Sequence, residues 1–350
     1  MPFDPLAPLP LLTADLPGIG GRIKASPEDF EVEEIPAYLP TGEGAHLFLW
    51  VQKTGMGAEF FQRRLARILG VPAEDIGTAG LKDRHAVTRQ WVSVPASAEP
   101  RVKDLDGEGV LVLSVSRHPN KLRPGHLHGN RFRVLVREPT APDALPPLLE
   151  RLRSHGLPNF YGPQRFGRDG ETLQVGLDLM RGDAGRVSGF LRRLALSAVQ
   201  SAVFNHVLAN RLADGLLRRV VAGDVMKKWP FGGMFNAADL SAEQARLDAR
   251  ETVPTGPMFG KKMFPALDEA AKREETVLAE AGLEREAFSG FGKMLSGTRR
   301  YLLVHPGDLS ATIEPEGVRL SFSLPAGSYA TVLAGELTHS GALAAEDADD

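Results

Sequence analysis

Strand-like and helix-like periods occupy different stretches of this chain, and their order constrains the fold more than any single motif. Residues 30–35 and 46–52 (HLFLWVQ) are β-rich, with a Gly42-Glu43-Gly44 turn signal between them. Helical spacing takes over in Ala58–Leu69, where Phe61, Leu65, Ile68 and Leu69 form a stripe. Arg63, Arg64 and Arg67 lie off that stripe, and Gly70 supplies a stop. Residues 91–94 and 110–116 (VLVLSVS) read as strands, and 142–155 as a helix ended by Gly156-Leu157-Pro158. In RFRVLVR (131–137) Arg131, Arg133 and Arg137 face one way and Phe132, Val134 and Val136 the other, giving a strand with a basic and an apolar face. From Asn159 onward helical stretches dominate, over 185–217, 239–250 and an acidic 266–287. The Gly232-Gly233 and 254–257 glycine and proline clusters separate them. After Arg300 strand patterns return at 302–304, 318–324 and 329–332. A β-rich beginning and end around a helix-rich middle points to an insertion into a mixed α+β domain.

Composition narrows the function classes. The chain is 43% hydrophobic over 350 residues, enough for a sizeable core and for about two domains. It has no cysteine, which excludes disulfides, thiolate-bound zinc, iron–sulfur clusters and a cysteine nucleophile. The proline-rich first twenty residues lack the basic start of a secretory signal. No run approaches the roughly 18 apolar residues of a membrane span. A cytoplasmic protein with no membrane partner is expected.

The formal net charge of −3 conceals an uneven distribution. Residues 266–287 carry a net −4, and the tail 336–350, expected to be a mobile acidic segment, carries −5. What is left has 38 basic against 32 acidic residues. Within it, 117–137 holds Arg117, Lys121, Arg123, Arg131, Arg133 and Arg137, three histidines and no carboxylate. Such a stripe suits a phosphate backbone, although alone it also fits a solvated arginine-rich surface.

Several cofactor patterns fail on inspection. Gly18-Ile19-Gly20 has Ile23 at the third glycine position of a dinucleotide fingerprint, with no strand before it. Gly256 and Gly260 are separated by three residues where a P-loop needs four, and Lys262 stands where Ser or Thr would hold magnesium. His126 and His128 lack further metal ligands of recognisable spacing, and no G-x-S-x-G elbow exists. No metal, nucleotide cofactor or other cofactor is expected.

One segment carries chemistry: Gly77-Thr78-Ala79-Gly80-Leu81-Lys82-Asp83-Arg84-His85. Asp83 lies between Lys82 and Arg84, and cations beside a carboxylate favour its ionised form, as a nucleophile or base requires. A loop aspartate in an ordinary surface ion pair has the same neighbours, and spacing alone does not choose.

Longer blocks do choose. KASPEDF (24–30), GEGAHL (42–47), AGLKDRHAVTRQW (79–91), KLR (121–123) with GNRF (129–132), PNFYGPQRFG (158–167), PTGP (254–257) and LPAGSYAT (324–331) resemble, in order, the TruD family of tRNA pseudouridine synthases. The resemblance implies an α+β, V-shaped protein. Residues 1–158 and 305–350 would form the pseudouridine synthase-like antiparallel-sheet catalytic domain, and 159–304 an inserted family-specific α/β domain. It implies an RNA uridine isomerase that converts uridine to pseudouridine at position 13 of tRNA. The N1–C1′ bond breaks, the base rotates, and C5 joins C1′.

By the same resemblance Asp83 is the catalytic aspartate, acting either on C1′ or on the 2′ proton. Phe132 would be the platform for the base, although on the apolar side of its strand it could equally be core. Phe30 and Tyr329 would line the uridine pocket, Asn130 would bond base or ribose, and Lys24 would lie near the site. The family commonly has phenylalanine at the position of Tyr329. Phosphate contacts would come from Lys121, Arg123, Arg131 and Arg133, with Arg165 and Arg168 as further candidates. Two other function classes share these features: a catalytically silent RNA-binding protein, which would not need the carboxylate, and a glycosylase, which would release free uracil.

Overall fold

The computed structural model describes residues 3–340, and they divide into two compact units. The first comprises Gly18–Leu149 and Pro306–Ala330. Walking the chain, it contributes β1 (Phe30–Pro36), β2 (His46–Thr54), α1 (Ala58–Leu69), β3 (Gly77–Thr78), β4 (Val87–Pro95), β5 (Val110–His118) and β6 (Leu127–Arg137). Helix α2 (Leu145–His155) leads onward into β7 (Leu157–Pro158). The second unit contains α3 (Glu171–Arg181), α4 (Gly189–Ala213), β8 (Val225–Lys228), β9 (Met234–Asn236), α5 (Leu240–Asp248), β10 (Thr252–Met258), α6 (Asp268–Glu280), β11 (Thr298–Tyr301) and β12 (Leu303–Val304). The chain then adds β13 (Gly307–Glu314) and β14 (Gly317–Pro325) to the first sheet, and α7 (Ala330–Thr338) follows.

The first sheet runs β13-β14-β6-β1-β4-β2-β5, with β3 also on β4. Only the β1–β4 pair is parallel among these. Register places Glu31 opposite Arg133, Val32 opposite Phe132, Glu33 opposite Arg131 and Glu34 opposite Asn130. Period two then separates two faces. One bears Glu31, Glu33, Arg131 and Arg133. The other bears Phe30, Val32, Glu34, Asn130 and Phe132, and Lys53, Thr88, Val32, Phe132 and Phe322 form one row across five strands. Gly129 is required where β6 passes β14, because a Cβ there would stand 2.2 Å from the Leu324 carbonyl oxygen.

Part of this second face is sealed by α1, whose Phe61, Leu65 and Leu69 pack with Leu47, Leu49, Val51, Val92 and Val94. The helix ends on Gly70 in the left-handed conformation. Arg64, off the stripe by spacing, is nonetheless buried and paired with Glu108. Its apolar stem extends the packed face while the guanidinium reaches a carboxylate at the rim.

The second unit is built on α4, buried along most of its 25 residues. Helix α3 packs against it so closely that a Cβ on Gly176 would meet the Ala195 carbonyl oxygen at 2.3 Å. Its main sheet runs β11-β10-β8-β9. The 254–257 cluster is therefore not a separator but the interior of β10. Pairing switches sides along that strand, 252–254 to β8 and 255–258 to β11, so neither partner demands an N–H from both prolines. Buried ion pairs Arg211–Asp224 and Arg299–Glu274, each at 2.6 Å, lie in this unit.

Two further expectations are overturned. Residues 329–332 do not form a strand: Ala330, Leu333, Ala334 and Leu337 repeat at helical spacing and are buried in α7. The acidic tail does not begin at Glu336. That carboxylate is buried, accepting Leu12 N–H and Thr13 N–H at 3.0 Å and the Thr13 hydroxyl at 2.7 Å. The rest of the expected tail beyond residue 340 lies outside the described residues. Among the described residues no helix is long and apolar enough to cross a membrane.

Replacing Arg299 by Met strands the Glu274 carboxylate in the second unit's core. We expect a loss of about 3–5 kcal/mol in chemical denaturation, whereas a change near zero would show the pair to be dispensable.

Candidate active site

Asp83 sits on the loop between β3 and β4, its side chain 47% exposed. Its carboxylate does not rely on its sequence neighbour Lys82. Lys82 is buried and reaches the buried Glu34, Nζ to Oε2 at 3.1 Å. Two other cations reach Asp83 from elsewhere in the chain. Lys24 Nζ lies 3.9 Å from Asp83 Oδ2 and 4.8 Å from the centre of the Phe30 ring. Lys24 takes a left-handed φ of 59°, a strained backbone for a non-glycine residue. The strain is held by its own segment: Asp29 accepts Ser26 N–H and two bonds from Arg137 of β6, at 2.6 and 2.7 Å. Burial would raise the Asp29 carboxyl, but the Arg137 and Ser26 bonds outweigh it and hold the carboxyl below its ordinary range.

Lys53 approaches Asp83 from the main-chain side. It is 1% exposed and donates to the Met56 and Asp83 carbonyl oxygens, the latter at 3.2 Å. Burial lowers its pKa to about 8, against the pull of Asp83 and with the push of Lys82.

Aromatic rings continue the wall. Phe30 meets Phe132 edge-on at 6.2 Å, and Phe132 stacks on Phe322 at 5.3 Å. Both Phe30 and Phe132 are buried. Asn130 lies two residues before Phe132 on the same face. Three polar atoms on this face, Glu34 Oε1, Thr88 Oγ1 and Asn130 Oδ1, are buried without a hydrogen-bond partner. Orphaned buried polar atoms are costly, and these three share the sheet face that carries Phe30, Phe132 and Lys53. Tyr329, half-buried, follows β14 by four residues.

Thus Asp83, Lys24, Phe30, Phe132 and Asn130 fall on one side of the sheet, while Arg131 and Arg133 lie on the other. Arg131 donates to Glu33 at 2.9 Å, and Arg133 faces Glu31 at 3.5 Å. The stripe that carries no carboxylate in sequence meets its carboxylates across the strand. Arg117 likewise pairs with Glu99. Lys121 donates to the Glu74 carbonyl oxygen, and Arg123 is exposed. In the second unit Arg165 donates to Ser197 and Ser201, and Arg168 is exposed. His126 bonds the Tyr38 hydroxyl at 2.7 Å. Among the described residues no group of three or more His, Asp or Glu side chains is placed to hold a metal ion.

Comparison with known proteins decides the family. The model of tRNA pseudouridine synthase D (TruD) matches residues 9–187 and 184–337. The chain belongs to that family. A tRNA pseudouridine synthase D from Anaeromyxobacter sp. (strain Fw109-5) is 48% identical, covering 97% of this chain and 99% of its own. One from Thermus thermophilus is 46% identical, covering 94% and 91%. A crystal structure of a candidate TruD from Methanosarcina mazei shares the fold, with a TM-score of 0.76, 24% identity and coverage of 95% and 97%.

Lys53 and Glu34 escaped the sequence reading. Alternation in HLFLWVQKT was the available signal, since it sets Lys53 on the same side as Leu47, Leu49 and Val51. Burial raises the Glu34 carboxyl and Lys82 opposes the rise. In Lys82→Met that opposition is gone, so the folded-state pKa climbs further above the unfolded value. Stability is then kept below the unfolded pKa and lost as pH rises through the folded one. The variant should be about 3–5 kcal/mol less stable at neutral pH, with the deficit shrinking towards acid. A deficit independent of pH would contradict this.

Proposed function

We propose that this protein isomerises uridine to pseudouridine at position 13 of tRNA in the cytoplasm, with Asp83 acting at the ribose. The observation that carries the reading is the half-exposed Asp83 carboxylate 3.9 Å from Lys24, whose ammonium lies over the buried Phe30 ring, with the buried Phe132 and the half-buried Asn130 on the same sheet face. A target nucleotide must leave its stack, which costs a few kcal/mol. Base–aromatic contact returns ~1–3 kcal/mol, and orphaned polar atoms beside the rings offer the base edge its hydrogen bonds.

The chemistry is balanced within the nucleotide. The N1–C1′ electron pair goes to N1 as that bond breaks, and C5 then bonds C1′. The product keeps its mass because the proton lost from C5 is matched by the one gained at N1. Nothing is oxidised or reduced, so no cofactor is consumed. Asp83 supplies a carboxylate oxygen either to C1′ or to the 2′ proton, with the Lys24 ammonium 3.9 Å from Oδ2. Family membership supports tRNA as substrate, and the two arms of the assignment, carboxylate and aromatic wall, come from the same face.

Phosphate contacts are assigned to Lys121 and Arg123. Arg131 and Arg133 would join them only by releasing Glu33 and Glu31. Purified protein should convert uridine to pseudouridine in tRNA, and Asp83→Asn should abolish conversion while still binding tRNA. Turnover retained in that variant, or release of free uracil by the unaltered protein, would overturn the reading. Arg123→Ala should reduce the slope of log affinity against log salt by ~0.7–0.9, and an unchanged slope would remove Arg123 from the contact set.

A further inference from the structure

We propose that Lys53 is the positioning residue of the Asp83 loop, gripping the Asp83 main-chain carbonyl so that turnover requires the charged ammonium. This rests on the reading of Asp83 as the group that acts at the ribose.

Three facts converge on Lys53. It stands between two strands of a sheet row, paired with Thr88 on β4 and Val110 on β5, with its side chain closed from solvent. Its ammonium bonds two main-chain oxygens, those of Met56 and Asp83, and no carboxylate among the described residues. The charged groups facing it are Asp83 and Lys82, both from the loop before β4. Helix α1 presents the uncharged Phe61 ring, 6.0 Å from Nζ.

A lysine buried this way costs stability. Its folded pKa of about 8 lies below the ordinary 10.5. Between those values the unfolded chain holds a proton that the folded chain has lost, so this group's contribution to stability rises with pH. Packing alone would be better served by Met or Leu in the same row. What the charge does is fix the loop: Lys24 holds the Asp83 side chain, 3.9 Å from Oδ2, and Lys53 holds its main chain, at 3.2 Å. A misplaced reacting group of about 1 Å costs roughly a hundredfold in rate, so two anchors on one residue have a direct kinetic purpose.

Opposite signs separate this role from a structural one. As pH rises through about 8, turnover should fall while the stability contribution of Lys53 grows. The experiment measures kcat and KM for tRNA between about pH 6.5 and 9, with thermal midpoints alongside, for the unaltered protein, Lys53→Arg and Lys53→Met. We expect an alkaline limb in kcat, not KM, for the unaltered protein. Lys53→Arg, charged throughout, should keep turnover and lose the limb. Lys53→Met should lose roughly tenfold or more in kcat at neutral pH, at unchanged KM, with a flat profile.

A limb that persists in Lys53→Met, or undiminished kcat in that variant, overturns the assignment. Absence of the limb in the unaltered protein overturns it without any variant, which covers the case in which neither substitution folds. Should the unaltered protein make no pseudouridine, the reading of Asp83 fails instead. Amide exchange in residues 79–86 then still tests the anchor: it should quicken on deprotonation of Lys53, and unchanged exchange overturns the grip.

Discussion

A one-residue slip of β1 against its neighbours would carry Glu31 and Glu33 into the face now held by Phe30, Val32 and Glu34. The observed register forbids this by pairing acid with base on one side and ring with ring on the other: Glu33 with Arg131, Val32 with Phe132. Both faces reinforce the same alignment. The charged ladder stays in solvent, where individual pairs contribute little but a slip would set apolar rings against them. Everything assigned to the candidate site, from Phe30 to Asn130, depends on which side of β1 faces the Asp83 loop.

Cations around Asp83 illustrate how folding redistributes charge. In sequence, Lys82 and Arg84 flank the carboxylate. In space, Lys82 turns inward to Glu34, and Lys24 and Lys53 arrive from the segment before β1 and from β2. A buried pair such as Lys82–Glu34 is a weak source of stability, because desolvation offsets attraction. Its position directly before Asp83 gives the loop a fixed base. Lys24 adds a strained backbone and Lys53 a charge with a depressed pKa. Both are costs of a kind that gathers at functional sites.

The alternating strands and the α1 stripe were readable because each buries one face and repeats at its own period. β13, GDLSATIE, was not, since an edge strand exposes both sides and keeps no clean alternation. β10 was hidden by Pro254 and Pro257, and α7 by the β-branched Thr331 and Val332 inside a helical spacing of small and large apolar residues. For the site, Asp83, Lys24, Phe30, Asn130, Phe132 and Tyr329 were reached through family resemblance, not through periodicity. Lys53 and Glu34 were missed because a charged residue in a strand is ordinarily solvated, and only its parity with buried neighbours says otherwise. The carboxylates facing Arg131 and Arg133 were invisible for a simpler reason: they are a hundred or so residues away in the chain and adjacent only through pairing.

The central claim is that the Asp83 carboxylate meets the ribose of an unstacked uridine. The most direct measurement is an experimental structure of Asp83→Asn bound to tRNA, in which binding persists and chemistry does not. The account predicts the ribose C1′ or C2′ of the target nucleotide within roughly 3.5 Å of the side chain at position 83, its base against Phe132. A target nucleotide bound elsewhere, or a ribose out of reach of position 83, would contradict it.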